Sequence, residues 1–167
     1  MDIARFKLGM RRLASGVSLI TTLSDGARHG LVATAVNSVS GDPPSLLICV
    51  NKNASAHGHI ERSGIYCVNI LSESAQPIAA SFSSVIDRDK RFLRGEWQVL
   101  KTGAPALVDS LASFDCEVRH ALTYATHTIF IADIVATELW DSTDAPLVYL
   151  DGRYRQVLVE PDMTPAE

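Results

Sequence analysis

The stretch from Gly30 to His57, Gly-Leu-Val-Ala-Thr-Ala-Val-Asn-Ser-Val-Ser-Gly-Asp-Pro-Pro-Ser-Leu-Leu-Ile-Cys-Val-Asn-Lys-Asn-Ala-Ser-Ala-His, decides the fold. Two apolar, strand-like runs flank a polar bend that carries Asn37, Ser38 and Ser40 and then the stiff turn Gly41-Asp42-Pro43-Pro44. The second run, Ser45 to Val50, is almost continuously apolar, the pattern of a strand covered on both faces. Small hydroxyl and amide side chains between two buried strands can present backbone N–H groups to an anion or to an aromatic edge. Asn51-Lys52-Asn53 stops the run, and Ala54 to Arg62 reads as a short helix that ends before Gly64. Ser55 near its start serves equally well as an N-terminal cap or as a ligand contact.

On the N-terminal side, Ile3, Phe6, Met10 and Leu13 recur at helical spacing with Arg5, Lys7, Arg11 and Arg12 between them, so an amphipathic helix is expected, with Gly16 as its C-terminal cap. Its basic face reads as solvated. Val17 to Leu23 is a short strand, and Ser24-Asp25-Gly26 turns it into a hairpin whose second strand begins at Gly30.

On the C-terminal side, Ile65 to Leu71 is a third apolar strand, and a helix opening at Ser72 or Ser74 runs to about Phe82 with Pro77 in its first turn. Ser83 to Gly103 loses periodicity and reads as a long surface loop containing Asp87-Arg88-Asp89-Lys90-Arg91-Phe92. There Arg91 and Phe92 pair a cation and a ring against a ligand, or form a solvated charge run beside a core-anchoring Phe; both readings stand. Phe114, Cys116 and Val118 alternate with Asp115, Glu117 and Arg119, which places Asp115 and Glu117 on a wet strand face. His127 to Leu139 is apolar on both faces, as in a central strand or a subunit contact, and Ala145 to Leu150 and Arg153 to Val159 form a last hairpin around Asp151-Gly152. Six to eight short strands, three helices and no regular strand–helix alternation give a mainly β, antiparallel, closed or nearly closed barrel. It fills one domain over residues 1–160, with a frayed tail over 161–167.

A chain of 167 residues with 47% hydrophobic and only 20% charged residues carries more apolar sequence than a small monomer hides easily, so an oligomer is expected. A net charge of −4 lacks the basic footprint of a nucleic-acid binder. The first residues are too charged for a signal peptide and no apolar run has the length of a membrane span, which points to the cytoplasm. Cys49, Cys67 and Cys116 are odd in number and show no paired spacing, so they read as reduced, buried thiols and no metal site is expected. Gly-x-Ser-x-Gly, phosphate-loop and Gly-x-Gly-x-x-Gly signatures are missing. Among the histidines, His127 stands out at the head of an apolar strand between Thr126 and Thr128, as a structural residue or a functional one. His57 and His59, two apart, diverge on a helix and are expected at the surface.

The ordered set Ser15-Gly16-Val17 with Ile20-Thr21-Thr22, Gly30 through Ser40 with Pro43-Pro44, Cys49-Val50-Asn51, Ser55, Cys67-Val68-Asn69-Ile70-Leu71, Arg91-Phe92, Thr102-Gly103-Ala104-Pro105, Thr126-His127 before Ile129-Phe130, Tyr149 and Gly152-Arg153-Tyr154 covers nearly the whole chain. It resembles the short-chain NAD(P)H:flavin oxidoreductases, the small reductase components of two-component monooxygenases such as 4-hydroxyphenylacetate 3-monooxygenase. The resemblance implies an FMN-binding split β-barrel with Greek-key-like antiparallel strands and connecting helices, working as a homodimer. It implies FMN or FAD with NADH or NADPH as co-substrate, and a transient oxygenase partner.

By position, the resemblance sets Thr34, Ala35, Asn37 and Ser38 along the flavin ring, and Asn51, Lys52 and Ser55 on the phosphate side. Arg91 and Phe92 would reach phosphate or adenine, His127 the nicotinamide, and Tyr149, Arg153 and Tyr154 the nucleotide. The hydride chemistry would belong to the flavin, which explains a chain with no nucleophile motif. Two other outcomes fit the same barrel: a reductase with retained flavin that serves another acceptor such as a cobalt corrinoid, or a non-catalytic flavin- or haem-binding protein. Val32 stands where a threonine is common in the family, and Ala125-Thr126 where Gly-Asp usually precedes the histidine.

Overall fold

A computed structural model describes residues 1–84, 86 and 88–158. Residues 159–167, which hold the expected end of the domain and its tail, lie outside the described residues, as does Asp87 of the charge run. The elements follow as α1 (Ile3–Met10), β1 (Ser15–Gly16), β2 (Ser18–Ser24), β3 (Ala27–Ala33), β4 (Val36–Gly41), β5 (Pro44–Asn51), α2 (His57–Ser63), β6 (Ile65–Leu71), α3 (Gln76–Ser83), β7 (Trp97–Val99), β8 (Pro105–Leu107), β9 (Ser110–Tyr124), β10 (His127–Leu139), β11 (Val148–Leu150) and β12 (Arg153–Arg155). Short 3-10 turns at Glu73–Ala75 and Arg88–Leu93 flank α3.

Seven strands form one antiparallel sheet in the order β3-β2-β6-β9-β10-β5-β4. Its two edge strands, β3 and β4, are consecutive in the chain, joined only by Thr34 and Ala35, and they do not pair with each other. The sheet therefore curls until its edges meet end to end at this two-residue link, and the barrel stays split along the rest of the seam. Inside it, Ile20, Ile48, Val50, Tyr66, Val68 and Phe130 pack together, and α2 lays Ala56 and Ile60 into the same cluster. Outside, α3 sets Ile78, Ala79 and Phe82 against Val17, Leu19 and Leu71. Central strands β2 and β6 are thus covered on both faces, which is why their sequences show no clean alternation.

Local chemistry explains most element ends. Asp25 and Gly26, and again Asp151 and Gly152, take the left-handed conformations that a two-residue hairpin needs. Gly64 caps α2 in the same conformation. Asp2 caps α1 by accepting from the amides of Ala4 and Arg5, at 2.9 and 3.3 Å.

Several expectations are corrected. Helix α1 ends at an Arg11 cap and Gly16 pairs in β1 with Val148, because the chain must turn to meet β11. Both faces of α1 are solvated, since Ile3, Phe6, Leu8 and Met10 are exposed as well as the basic residues. The hairpin's second strand starts at Ala27, not Gly30. Asn37, Ser38 and Ser40 are not in a bend but in edge strand β4, paired with β5; the bend lies before them, at Thr34 and Ala35. Ser55 does not cap α2: successive turns from Asn51 make Ala56 the flanking residue, with no side-chain cap. The 83–103 segment is partly ordered by a 3-10 turn and β7, anchored where Phe92 meets Phe82 edge-on at 5.1 Å and Trp97 at 4.9 Å. Asp115, expected on a wet face, is fully buried. Its carboxylate accepts from the amides of Lys101 and Thr102 at 2.8 and 2.6 Å and from the Thr102 hydroxyl at 2.5 Å, so the 101–104 loop folds over it. His57 is buried as well, its Nε2 being 2.8 Å from Thr128 Oγ1, because the first turn of α2 faces β10. His59 is half-buried, stacked on His29 at 3.3 Å.

Candidate active site

The site grows from the Thr34–Ala35 link. Two adjoining cavities of about 490 and 420 Å³ share Thr34, Tyr149 and Gly152 and form one open cleft along the barrel seam. One wall is the end of β3 with Val32 and Ala33; the other is the β11–β12 hairpin, where Tyr149 and Tyr154 pair across the strands with rings 5.7 Å apart. Arg153 lines the same cleft. The last turn of α1 closes one end, held there because Arg11 accepts the amide of Asp151 through its backbone oxygen and pairs with the Asp151 carboxylate at 3.3 Å. Gly152 is required at this point: it has a positive φ, and a Cβ there would stand 2.8 Å from the Arg11 guanidinium.

A second polar group lies across β5. The Ala35 carbonyl accepts from the Cys49 amide at 3.0 Å on one side of that strand. On the other side, His127 pairs with Asn51, and the Lys52 amide donates to the Thr126 carbonyl at 2.9 Å. Two strand spacings across β5 and a two-residue offset along it put Ala35 and His127 about 12 Å apart. Leu46, Ile48 and Val50 alternate inward, so Cys49 and Asn51 point outward, on the face shared by His127 and Ile129. Thr126 Oγ1 lies 2.8 Å from His127 Nδ1, which leaves Nε2 as the free edge of the ring. Ala125, in the two-residue turn before it, has a φ of 48°. Lys52 and Ser55 are exposed beside this end, and the Asn51 side chain accepts from the Asn53 amide at 2.8 Å.

The structure thus brings Thr34, Tyr149, Arg153 and Tyr154 into one cleft, and gathers Asn51, Lys52, Ser55 and His127 at the neighbouring end of β5 and β10. Ala35 links the two groups. Asn37 and Ser38 continue along exposed β4. Arg91 and Phe92 stand apart from the cleft: Arg91 is buried against the Phe82 ring at 5.6 Å, and Arg28 lies 4.9 Å over Phe92. Arg11 was not legible as a site residue, since its neighbours read as one solvated face. Burial pushes the thiols of Cys67 and Cys116 well above their ordinary range, and Asp115 beside them adds to the shift, so neither is a nucleophile. Among the described residues no three His, Cys, Asp or Glu side chains gather as a metal site would require.

The described residues thus form an antiparallel split barrel with an open cleft at its seam, walled by Tyr149 and Tyr154 and lined by Arg11 and Arg153. The chain matches the family described as flavin reductase like domain over residues 10–158, and it belongs to that family. It is 40% identical over 150 residues to the FMN reductase (NADH) RutF of Agrobacterium fabrum, covering 90% of this chain and 86% of the relative. A solved structure from Haemophilus somnus superposes with a TM-score of 0.89 at 36% identity, covering 94% of this chain and all of that one. BorF, the flavin reductase component of a bacterial two-component tryptophan halogenase, superposes with a TM-score of 0.86 at 31% identity, over 95% of this chain and all of BorF.

Proposed function

We propose that this chain is an NADH-dependent flavin reductase that reduces FMN in the seam cleft and releases it to a flavin-dependent oxygenase or halogenase. The observation that carries this reading is the placement of the Thr34–Ala35 link and His127 on either side of the last residues of β5, Ala35 against Cys49 and His127 against Asn51. The cleft fits a flavin: Ala33 keeps its floor small, one wall carries the Tyr149 and Tyr154 rings, and Arg153 offers a cation, with Lys52 outside it at the neighbouring end of β5. When bound, the flavin supplies the ring that accepts hydride from the nicotinamide.

This chain's residues have positioning work. Thr34 and Ala35 offer backbone groups that no strand partner uses along the split seam, apart from the Ala35 carbonyl held by Cys49. Asn37 and Ser38 extend the same polar border, and Asn51, Lys52 and Ser55 face the phosphate side. The contact of Thr126 Oγ1 with Nδ1 orients the His127 ring and leaves Nε2 to hydrogen-bond the nicotinamide, a positioning role. Tyr149, Arg153 and Tyr154 enclose the nucleotide from the hairpin side. The RutF relative's name favours NADH and FMN over reduction of a cobalt corrinoid or a non-catalytic flavin- or haem-binding role.

The same reading includes a homodimer. Leu47, Leu122, Ile129 and Ile131 line the outward face of β5, β9 and β10 and are only partly covered, as an apolar subunit contact would leave them in one protomer. Three free cysteines suit the reducing cytoplasm.

The test crosses NADH and NADPH with FMN and FAD while nicotinamide absorbance is followed. NADH oxidation that depends on added FMN is expected; oxidation indifferent to flavin would refute the reading. His127→Ala should raise the NADH KM and cut kcat/KM about tenfold, the loss of one hydrogen bond of about 1.4 kcal/mol, while FMN affinity stays within twofold.

A further inference from the structure

A flavin on the Ala33 floor leaves the α1 end of the cleft open. That cavity, of about 490 Å³, begins at Thr34 and runs to the turn of the β11–β12 hairpin. Its apolar side consists of Met10, Leu13 and Tyr149, all three exposed, which together can cover a purine. Among the described residues that line it, Arg11 is the one cation and Asp151 the one carboxylate.

These two charges are not equally open to a ligand. Arg11 is already engaged: its Nε stands 3.3 Å from Asp151 Oδ1, and its guanidinium lies over Gly152, where a Cβ would meet Nη2 at 2.8 Å and Cζ at 3.6 Å. The backbone holds the pair in place, because the Asp151 amide donates to the Arg11 carbonyl at 2.9 Å and Asp151 sits in the hairpin turn with a φ of 53°. The Asp151 side chain is nevertheless 65% exposed, and a carboxylate has acceptor positions beyond those that one cation fills. The cavity therefore offers a ligand an acceptor and a neutralised cation. A ribose hydroxyl donates to such a carboxylate, whereas a phosphate beside it is repelled. Dinucleotide sites on unrelated folds use the same opposition, an acidic side chain for the ribose 2′-hydroxyl and an available Arg for a 2′-phosphate.

We propose that Asp151 sets the choice of nicotinamide nucleotide, favouring NADH over NADPH. Its carboxylate accepts from the 2′-hydroxyl of the adenosine ribose and keeps Arg11 from a 2′-phosphate, while Met10, Leu13 and Tyr149 flank the adenine. This rests on the reductase reading, which brings the nucleotide to the cleft. Thr34 borders the cavity and Ala35 beside it stands about 12 Å from His127, a gap for the diphosphate to bridge between adenosine and nicotinamide.

The probes are ADP-ribose and 2′-phospho-ADP-ribose, the adenosine halves of the two nucleotides, titrated by calorimetry into the full chain. The parent should bind ADP-ribose about tenfold more tightly than its 2′-phosphate. Asp151→Asn keeps the turn, since asparagine tolerates a positive φ, and it should lower that ratio about tenfold through tighter binding of the 2′-phosphate. Adding Arg11→Ala should withdraw the gain, because the released guanidinium is what holds the phosphate. Steady-state kinetics make the same comparison: kcat/KM for NADH relative to NADPH should drop about tenfold in Asp151→Asn. Both nucleotides meet the same variant, so a change in folding or flavin affinity divides out of the ratio. An unchanged ratio in Asp151→Asn by either measurement, a parent that prefers the 2′-phosphate, or no saturable ADP-ribose binding at millimolar concentration would overturn the proposal. A gain that survives Arg11→Ala would overturn the part given to Arg11. A parent chain without flavin-dependent NADH oxidation would instead refute the reductase reading and leave the calorimetry to decide whether Asp151 reads the ribose.

Discussion

Replacing Asp115 isolates the energy of one buried carboxylate that organises the loop carrying Thr102-Gly103-Ala104-Pro105. Its two oxygens take three donors: Oδ2 accepts the Lys101 and Thr102 amides, and Oδ1 accepts the Thr102 hydroxyl, which in turn accepts the Ala104 amide at 3.1 Å. In Asp115→Asn the remaining oxygen can still serve both amides while the new NH2 donates to the Thr102 hydroxyl, so geometry survives and charge assistance is lost. Charged hydrogen bonds exceed neutral ones by about 1 kcal/mol each, and the two amide bonds that the retained oxygen keeps account for a loss of about 2 kcal/mol. Asp115→Ala strands two amides and a hydroxyl in a buried site and costs about 4 kcal/mol. For a chain of this size those losses lower Tm by about 4–8 °C and 8–16 °C respectively. Thermal melting followed by far-UV circular dichroism reads the order parent, Asn, Ala. Amide exchange at Lys101 and Thr102 should quicken strongly in the Ala variant and modestly in the Asn variant. If Asp115→Ala melts with the parent chain and its loop amides stay protected, the carboxylate does not hold the loop and the reasoning fails.

Two other perturbations probe different parts of the barrel. Gly30→Ala would place a Cβ 2.8 Å from Phe82 Cε1 and 3.1 Å from the Ile20 carbonyl, so α3 must shift away from β3; a loss of about 1–3 kcal/mol is expected, read by urea denaturation, and an unchanged midpoint would show that Phe82 yields freely. Burial, and next the neighbouring His59, hold the His29 pKa below its ordinary 6.5, with Arg62 lowering it further and Asp25 and the Ser24 backbone opposing. The unfolded chain therefore binds this proton first. The contribution to stability is intact above about pH 6.5, falls as pH drops through that value and levels off below the folded pKa. Melting scans from neutral to acidic pH should show part of this slope vanish in His29→Gln, and parallel slopes in the two proteins would count against it.

Much of the architecture was legible because it rests on local chemistry. Asp25-Gly26 and Asp151-Gly152 announced their hairpins through conformations few other pairs adopt, and the apolar runs of β6 and β10 fixed those strands to the residue. What stayed hidden depends on what covers a face. Alternation correctly showed Asp115 pointing away from Cys116, but not that the loop at Lys101 would fold over it. His57 read as a surface residue since nothing near it in the chain reveals that Thr128 stands opposite. The cleft was legible only in part: Thr34 and the Tyr149–Tyr154 hairpin came from the family resemblance, whereas Arg11 becomes a site residue only through its bond to Asp151, at the other end of the chain. Arg91 read as a ligand contact or as part of a solvated charge run, and its burial against Phe82 could not be foreseen from periodicity that had already faded.

Strand β4 leaves one edge of the sheet without a neighbour, and an unpaired edge is a template for stacking one molecule on another. Asn37, Ser38 and Ser40 keep that edge hydrophilic, and the register shift between Ser38 and Ser40 breaks its ladder, so Asn37 and Ser38, read as a ligand border, also guard the protein against edge-to-edge aggregation. Exchanging these small polar residues for valine or isoleucine would therefore cost colloidal stability, and any screen of variants at these positions needs a solubility counter-screen beside it.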